Sequence, residues 1–309
     1  MPQVPAARFF RENMMELTHK ANRSGKFSTF LRGEMVLSSG LMNKLKWQER
    51  LLVNGIPRHT DYPVEPGDIL TVCLDEPEPD YPAEDGDLTV LYEDEHLLAV
   101  DKPAGMLVHP SRTRLTGTLA NLVAGYYRRT GQKCAFHPVT RLDRDTYGIV
   151  LLAKNAYVHA MFTQMQEQKQ IVKIYHAAVL GGPEKPEGVI DAPIERLPLP
   201  SLLRRVSPEG KPSLTRYQVL QRQGEFTKLA LQPITGRTHQ LRVHCAYMGY
   251  PILGDPQYGG EKMLKISEEL KIPHQILCAK TLEFLHPLTK QDMCLCSRMD
   301  GELPKIKTV

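Results

Sequence analysis

This chain lacks most of the features that would assign it quickly. Its apolar run Ile149–Ala153 falls far short of the roughly 20 residues a membrane-crossing helix needs, so no membrane association is expected. The N-terminal stretch MPQVPAARFFRENMMELTHK has no apolar block ahead of a small-residue cleavage site, so no secretory signal is expected and the cytoplasm is the expected location. The six cysteines, at 73, 134, 245, 278, 294 and 296, are scattered and suggest no disulfide framework. Cys294 and Cys296 would share one face of a strand, but no second Cys/His pair at finger spacing accompanies them, and no metal site is expected. There is no phosphate-binding glycine loop, dinucleotide fingerprint, G-x-S-x-G elbow or H-E-x-x-H helix.

What the chain does have is charge in blocks. Residues 1–60 carry ten lysines and arginines against four acids; residues 61–90 carry ten acids and no lysine or arginine. Basic bodies flanking an acidic connector suit a polyanionic partner, although a solvated charge run would look the same. A length of 309 residues suggests about two domains. DEPEPDYPAEDGD, residues 75–87, is acidic, proline-rich and without apolar periodicity, and reads as a linker. The expected division is an extension over 1–26, a small unit over 27–74, the linker over 75–87 and a large domain over 88–309.

Within the small unit, LMNKLKWQERLLVNG suggests a short basic amphipathic helix carrying Lys44, Lys46 and Arg50, then a strand and an Asn54-Gly55 turn. Trp47 is expected to fill that unit's core. PGDILTVCL reads as a further strand. In the large domain, strands are expected over Leu88–Tyr92, Leu97–Asp101 and in GIVLLA, QIVKIYHAAVLGG and FTKLALQPITG. Helices are expected in GTLANLVAGYYRRTG, AYVHAMFTQMQEQK and THQLRVHCAYMG, the last with Thr238 as its N-cap and Gly249 just past its end. The helices are too few and too unevenly spaced for a doubly wound sheet. The fold class expected is α+β, with a mixed, mostly antiparallel sheet flanked by helices and a small α+β unit in front.

The chemistry concentrates in TRLDRDTYGIVLLAKN, Thr140–Asn155. If the stretch is extended, Arg141, Asp143 and Asp145 share one side. A carboxylate set where water is scarce needs a cation to stay ionised, and GRTHQLRVH offers one. On a helix His239 and Arg242 are three apart on one face, and a half-buried arginine there needs a partner such as Asp143. Asp143 and Asp145 would lie about 6.6 Å apart along a strand, within range for a glycosidase pair, but the flanking arginines would ionise both and leave no general acid.

Taken together, DKPAGMLVHP, RLDRDTYGIVLLAKN, KIYHAAVLGG and PITGRTHQLRVHCAYMGYPILGDPQYGG resemble the RluA/RluD-type RNA pseudouridine synthases, in that family's order, from about Leu88 to the C-terminus. The resemblance implies isomerisation of specific uridines in structured RNA, large-subunit ribosomal RNA before transfer RNA, by a monomer with no cofactor and no metal. It implies Asp143 as the catalytic aspartate, Tyr175 as the tyrosine packed on the target base, and Arg242 as the arginine paired with the aspartate. Arg141 then helps hold RNA with its uridine flipped out, a step required because a stacked base hides its reacting atoms. Arg237 and His239 either contact RNA or cap their helix. The sequence departs from the family at Thr140, usually histidine, at Tyr147, usually serine, and at Cys278, often histidine. The unit Phe27–Leu74 resembles the small S4-like RNA-binding fold, which implies RNA contacts from Lys44, Lys46 and Arg50. The competing possibilities are an RNA-binding factor that has lost turnover and a nucleoside or sugar hydrolase using Asp143.

Overall fold

The computed structural model describes residues 15–74, 81–111 and 113–304. The small unit is built on a four-stranded antiparallel sheet in the order Met15–Lys20, Ile69–Leu74, Leu51–Val53, Ile56–Pro57. Two helices, Phe27–Gly33 and Ser39–Trp47, cover it with Phe27, Phe30, Leu31, Met42 and Leu45, all buried. Ser38 caps the second helix by accepting a hydrogen bond from the Leu41 amide at 3.2 Å. Asn54 and Gly55 both take positive φ, 52° and 77°, the conformation a two-residue hairpin turn demands.

Three expectations change here. The segment expected as an extension supplies a strand, since Met15–Lys20 pairs along six residues with Ile69–Leu74. Trp47 is 83% exposed. At 100° per residue it lies about 200° around the helix from buried Leu45, so the face that buries Met42 and Leu45 turns Trp47 outward. The linker is bound to the large domain over its second half; residues 75–80 lie outside the described ones. The Glu84 amide donates to Asn121 O at 3.0 Å, and Asp85 pairs with Arg129 at 2.9 Å and Arg128 at 3.1 Å. Asp85 thus settles on the basic last turn of the helix Leu119–Arg129, where the dipole also favours the arginines, and Glu84 accepts from the Gly117 amide at 2.9 Å.

The large domain is a ten-stranded sheet. Its main path runs Glu187–Asp191, Leu214–Gln223, Phe226–Pro233, Val172–Leu180, Leu277–Leu285, Tyr147–Ala153, Leu97–Lys102, Thr89–Glu93. Asp292–Cys296 and His137–Pro138 attach at the side. Alternate residues serve opposite faces. Leu98, Val100, Val150 and Leu152 pack under the helix Leu119–Arg129, while Leu97, Ala99, Leu151 and Ala153 pack under Ala156–Glu167. Cover on both faces explains why these strands are continuous apolar runs. Thr118 and Asn121 form a capping box at the start of Leu119–Arg129.

Every pairing in the sheet is antiparallel except one. Tyr147–Ala153 meets Leu277–Leu285 in parallel, and only through Tyr147↔Cys278 and Gly148↔Ala279. Beyond Ala279 the strand Leu277–Leu285 takes Asp292–Cys296 as its neighbour instead. The two halves of the sheet therefore touch only at their ends. Gly148 makes the contact possible: a Cβ there would lie 2.4 Å from Ala279 O, and its φ is 105°. The fold class is the one expected, an α+β domain with a mainly antiparallel sheet and a small α+β unit before it.

Candidate active site

Asp143 stands just before that junction. The stretch Arg141–Asp145 is not extended, as the sequence reading supposed; it closes in a turn, with the Thr146 amide donating to Asp143 O at 3.2 Å. The turn sends the two aspartates apart. Asp145 accepts two hydrogen bonds from Arg144, at 3.1 and 3.0 Å, and lies 3.4 Å from His274. Asp143 faces the helix Gln240–Tyr247 instead.

Buried groups pin this turn. Lys102 is fully buried and its ammonium donates to three carbonyls, Pro103 O at 2.9 Å, Met106 O at 2.8 Å and Arg144 O at 3.0 Å. Burial pushes its pKa down to about 8, against the pull of Asp145 and Asp143. Thr140, at the position where histidine is usual, accepts from the Leu151 amide at 3.0 Å and so extends the strand's hydrogen bonding into the turn. Thr146 accepts from buried Gln275 at 2.6 Å. Tyr147 donates to Asp300 O at 3.1 Å, and Cys278 is buried, which pushes its thiol up to about 12. These departures are absorbed by packing around the turn.

Arg242 is 5% exposed in its side chain and reaches Asp143 Oδ2 at 3.4 Å. That is its weakest polar contact. Nε and Nη2 grip Asp255 at 2.7 Å each, and Nη2 also donates to Gln257 at 2.8 Å. The carboxylate of Asp255 is itself buried and accepts from the amides of Gln257 and Tyr258. Burial alone would lower the Arg242 pKa, but the hydrogen bonds and charge of Asp255, with Asp143, hold it above the usual value. Its planar fork thus stays charged in a site where water is scarce. Sequence reasoning missed Asp255, although GDPQYGG was in view. A buried arginine calls for a carboxylate, and nothing in the spacing told which one it takes.

Tyr175 lies on Val172–Leu180, on the face it shares with Ala177 and Val179 and next to a register shift after Ile174. Burial, with the charge of Asp143, raises its pKa, so its hydroxyl keeps its proton. His239 has Nε2 3.8 Å from Asp143 Oδ2 and Nδ1 2.8 Å from the Tyr258 hydroxyl. It also begins the helix, in place of Thr238, with a left-handed φ of 58° and no side-chain cap of its own. Gln240 ties the preceding loop to the helix start: its side-chain oxygen accepts from the Arg237 amide at 3.0 Å and from Thr235 at 2.8 Å.

Asp143, Tyr175, His239 and Arg242 line one open cleft of about 760 Å³, with Arg141 and Arg237 exposed at its edge. That volume lies within the usual range for small-ligand sites and suits a nucleotide unit. Among the described residues, all that line this cleft fall between Leu107 and Leu277. Lys44 and Lys46 are on the small unit's second helix and Arg50 just beyond it, so the fold does not bring these three to the cleft. Among the described residues no three His, Cys, Asp or Glu side chains are grouped to hold a metal ion, and no helix is long and apolar enough to cross a membrane.

A family model described as RNA pseudouridylate synthase matches residues 96–247, which hold Asp143, Tyr175, His239 and Arg242. An uncharacterized RNA pseudouridine synthase of Bacillus subtilis, YjbO, is 36% identical over 277 residues, 89% of this chain and 95% of its own length. The chain belongs to the RNA pseudouridine synthase family. It is an enzyme that isomerises uridine within RNA. The synthase is also 30% identical over 295 residues to the ribosomal large subunit pseudouridine synthase C of Vibrio cholerae, covering 92% of each chain. Among solved structures, human RNA pseudouridylate synthase domain containing 4 superposes with a TM-score of 0.56 at 27% identity, over 68% of this chain and 88% of that one.

Proposed function

We propose that this synthase converts specific uridines of large-subunit ribosomal RNA to pseudouridine, with Asp143 as the nucleophile. The carrying observation is Asp143 on a pinned turn, 3.4 Å from a buried arginine whose position a second carboxylate fixes. Such an aspartate is held by charge yet, among the described residues, accepts one loose hydrogen bond, from Arg242 at 3.4 Å, so its oxygens remain available to attack. The reaction needs no outside electron or group. The bond from sugar C1′ to base N1 breaks, C1′ bonds to base C5, and the proton leaving C5 is balanced by one gained at N1. A transient link through a carboxylate oxygen of Asp143 splits this into two easier steps. Tyr175, protonated and apolar-faced, packs against the flipped base, while Arg141 and Arg237 at the cleft edge meet its flanking phosphates.

The ribosomal assignment rests on relatives whose names specify the large ribosomal subunit. On this reading the small unit is an S4-like RNA-binding domain contacting RNA with Lys44, Lys46 and Arg50. The protein acts as a monomer in the cytoplasm. The test is to map pseudouridines in total RNA from a strain lacking the gene, complemented with wild type or Asp143→Asn. One or more large-subunit sites should disappear in the deletion and return only with wild type. Sites lost solely from transfer RNA would move the substrate; sites restored by the Asn variant would remove Asp143 from its role.

A further inference from the structure

A second cleft, of about 440 Å³, shares Gly236, Arg237 and Thr238 with the catalytic one. Its outer wall is a hairpin formed by the antiparallel strands Ile194–Arg196 and Arg204–Val206. Side chains alternate across such a pair. Glu195 and Arg205 face each other on one side, joined at 2.7 Å. On the other side the buried Ile194 opposes Val206, and then Arg196 opposes Arg204. Two like charges directly across a strand pair destabilise it. Here no acid relieves them: among the described residues, Arg196, Arg204 and Lys211 have no carboxylate partner. Arg204 spends one terminal nitrogen on Leu202 O and Leu203 O, leaving the rest of its guanidinium for a ligand. Arg237, from the catalytic loop, completes the basic wall, anchored through Nε to Pro212 O at 3.2 Å. Of the two acids lining the cleft, Glu195 is already paired, and Glu209 is exposed.

The hairpin is also registered to the reacting centre. The Arg204 amide donates to the Tyr258 hydroxyl at 3.0 Å, and that hydroxyl lies 2.8 Å from His239, which faces Asp143. A group held between Arg196 and Arg204 therefore sits at a fixed distance from the uridine pocket.

We propose that the second cleft is a phosphodiester subsite, in which Arg196, Arg204 and Lys211 hold the RNA backbone next to the flipped uridine. The proposal rests on the RNA-modifying reading above and adds to it the residues that grip the flanking strand. A backbone phosphate supplies the charge that the opposed arginines lack, and guanidinium forks match its oxygens in pairs. The open form of the cleft admits a continuing chain rather than a small molecule only.

The experiment compares the full chain with Arg196→Ala/Arg204→Ala, Arg196→Lys/Arg204→Lys and, as a control on the hairpin's other face, Arg205→Ala. Binding of a dye-labelled oligouridylate is followed by fluorescence anisotropy across a salt series, and turnover is followed on total RNA from a strain lacking the gene. Two lost phosphate contacts should weaken binding ~10-fold and flatten the logarithmic salt slope by about 1.4. The rate at saturating RNA should stay within about threefold, because contacts made equally in ground and transition states act on KM. The lysine pair should keep most of the slope, and Arg205→Ala should match wild type. Wild-type affinity and slope in the double alanine variant would overturn the subsite, as would an equal loss from Arg205→Ala. A melting curve for each variant guards against unfolding, and the lysine pair decides the case should the alanine pair not fold. A wild-type protein that binds oligouridylate through these arginines but converts no uridine would instead refute the catalytic reading, leaving the subsite standing.

Discussion

Arg242 holds Asp255 with two contacts of 2.7 Å and reaches Asp143 with one of 3.4 Å. The arginine is thus fixed by Asp255 and held only loosely to Asp143. A nucleophile clamped by two short charged hydrogen bonds would have its lone pairs occupied. Here the strong pairing goes to Asp255, and in its proposed role as nucleophile Asp143 keeps lone pairs free to react.

Asp143→Asn should therefore leave the fold and RNA affinity near wild type and cut the rate ~10⁴-fold or more, about 5 kcal/mol in barrier. Single-turnover kinetics at saturating RNA measure this directly. A variant retaining a tenth of the rate would show that the carboxylate is not the nucleophile.

Asp255→Ala should cost more in stability than in any contact with RNA. It strands a buried guanidinium, and removing one partner of a buried pair typically costs about 3–5 kcal/mol. Urea unfolding should show that loss, and activity should fall with it because Arg242 is no longer held toward Asp143. Stability within about 0.5 kcal/mol of wild type, the usual scatter for surface changes, would mean that Asp255 does not anchor the arginine.

Lys102→Met should loosen the Asp143 turn by removing the buried donor that ties three partly buried carbonyls together. It should also change how stability depends on pH. The folded pKa of about 8 lies below the unfolded value of 10.5. Between those values the unfolded chain binds the extra proton, so this lysine makes wild type more stable as pH rises from about 8 to 10.5 and contributes no such slope below. The difference in unfolding free energy between wild type and Lys102→Met should widen across that window. A constant difference would show that the lysine keeps its ordinary pKa.

Lys44→Ala with Lys46→Ala should reduce RNA affinity and flatten its salt dependence by up to about 1.4 in logarithmic slope, with turnover at saturation unchanged. Both side chains are on the small unit, away from the cleft. Equal slopes for variant and wild type would remove the RNA-binding role from this helix.

Local rules read well wherever the residue and its partner are near in the chain. Asn54-Gly55 turns its hairpin and Gly249 follows the helix Gln240–Tyr247 as expected, because these signals lie within a few residues of what they act on, although the cap expected at Thr238 falls one residue on, at His239. The doubly covered strands announce themselves as apolar runs for the same reason. Trp47 misled because an aromatic in an amphipathic helix suggests core, while its angle from Leu45 puts it outside.

By itself the sequence determined the α+β class and the order of the main elements, which follow from periodicity, capping and motif order along the chain, and through its family resemblance it nominated Asp143, Tyr175 and Arg242 as candidates. Only the tertiary structure decided their partners. Asp143 and Arg242 are 99 positions apart, and Arg242 takes Asp255 as its main partner. It also decided that Asp145 turns away to Arg144 and His274, and that the hairpin bearing Arg196 and Arg204 stands beside the cleft. The physical reason is that a charge specifies a need for an opposite charge but no address. The address comes from sheet pairing, the parallel join at Gly148 above all, and pairing between distant strands is a property of the whole packed core.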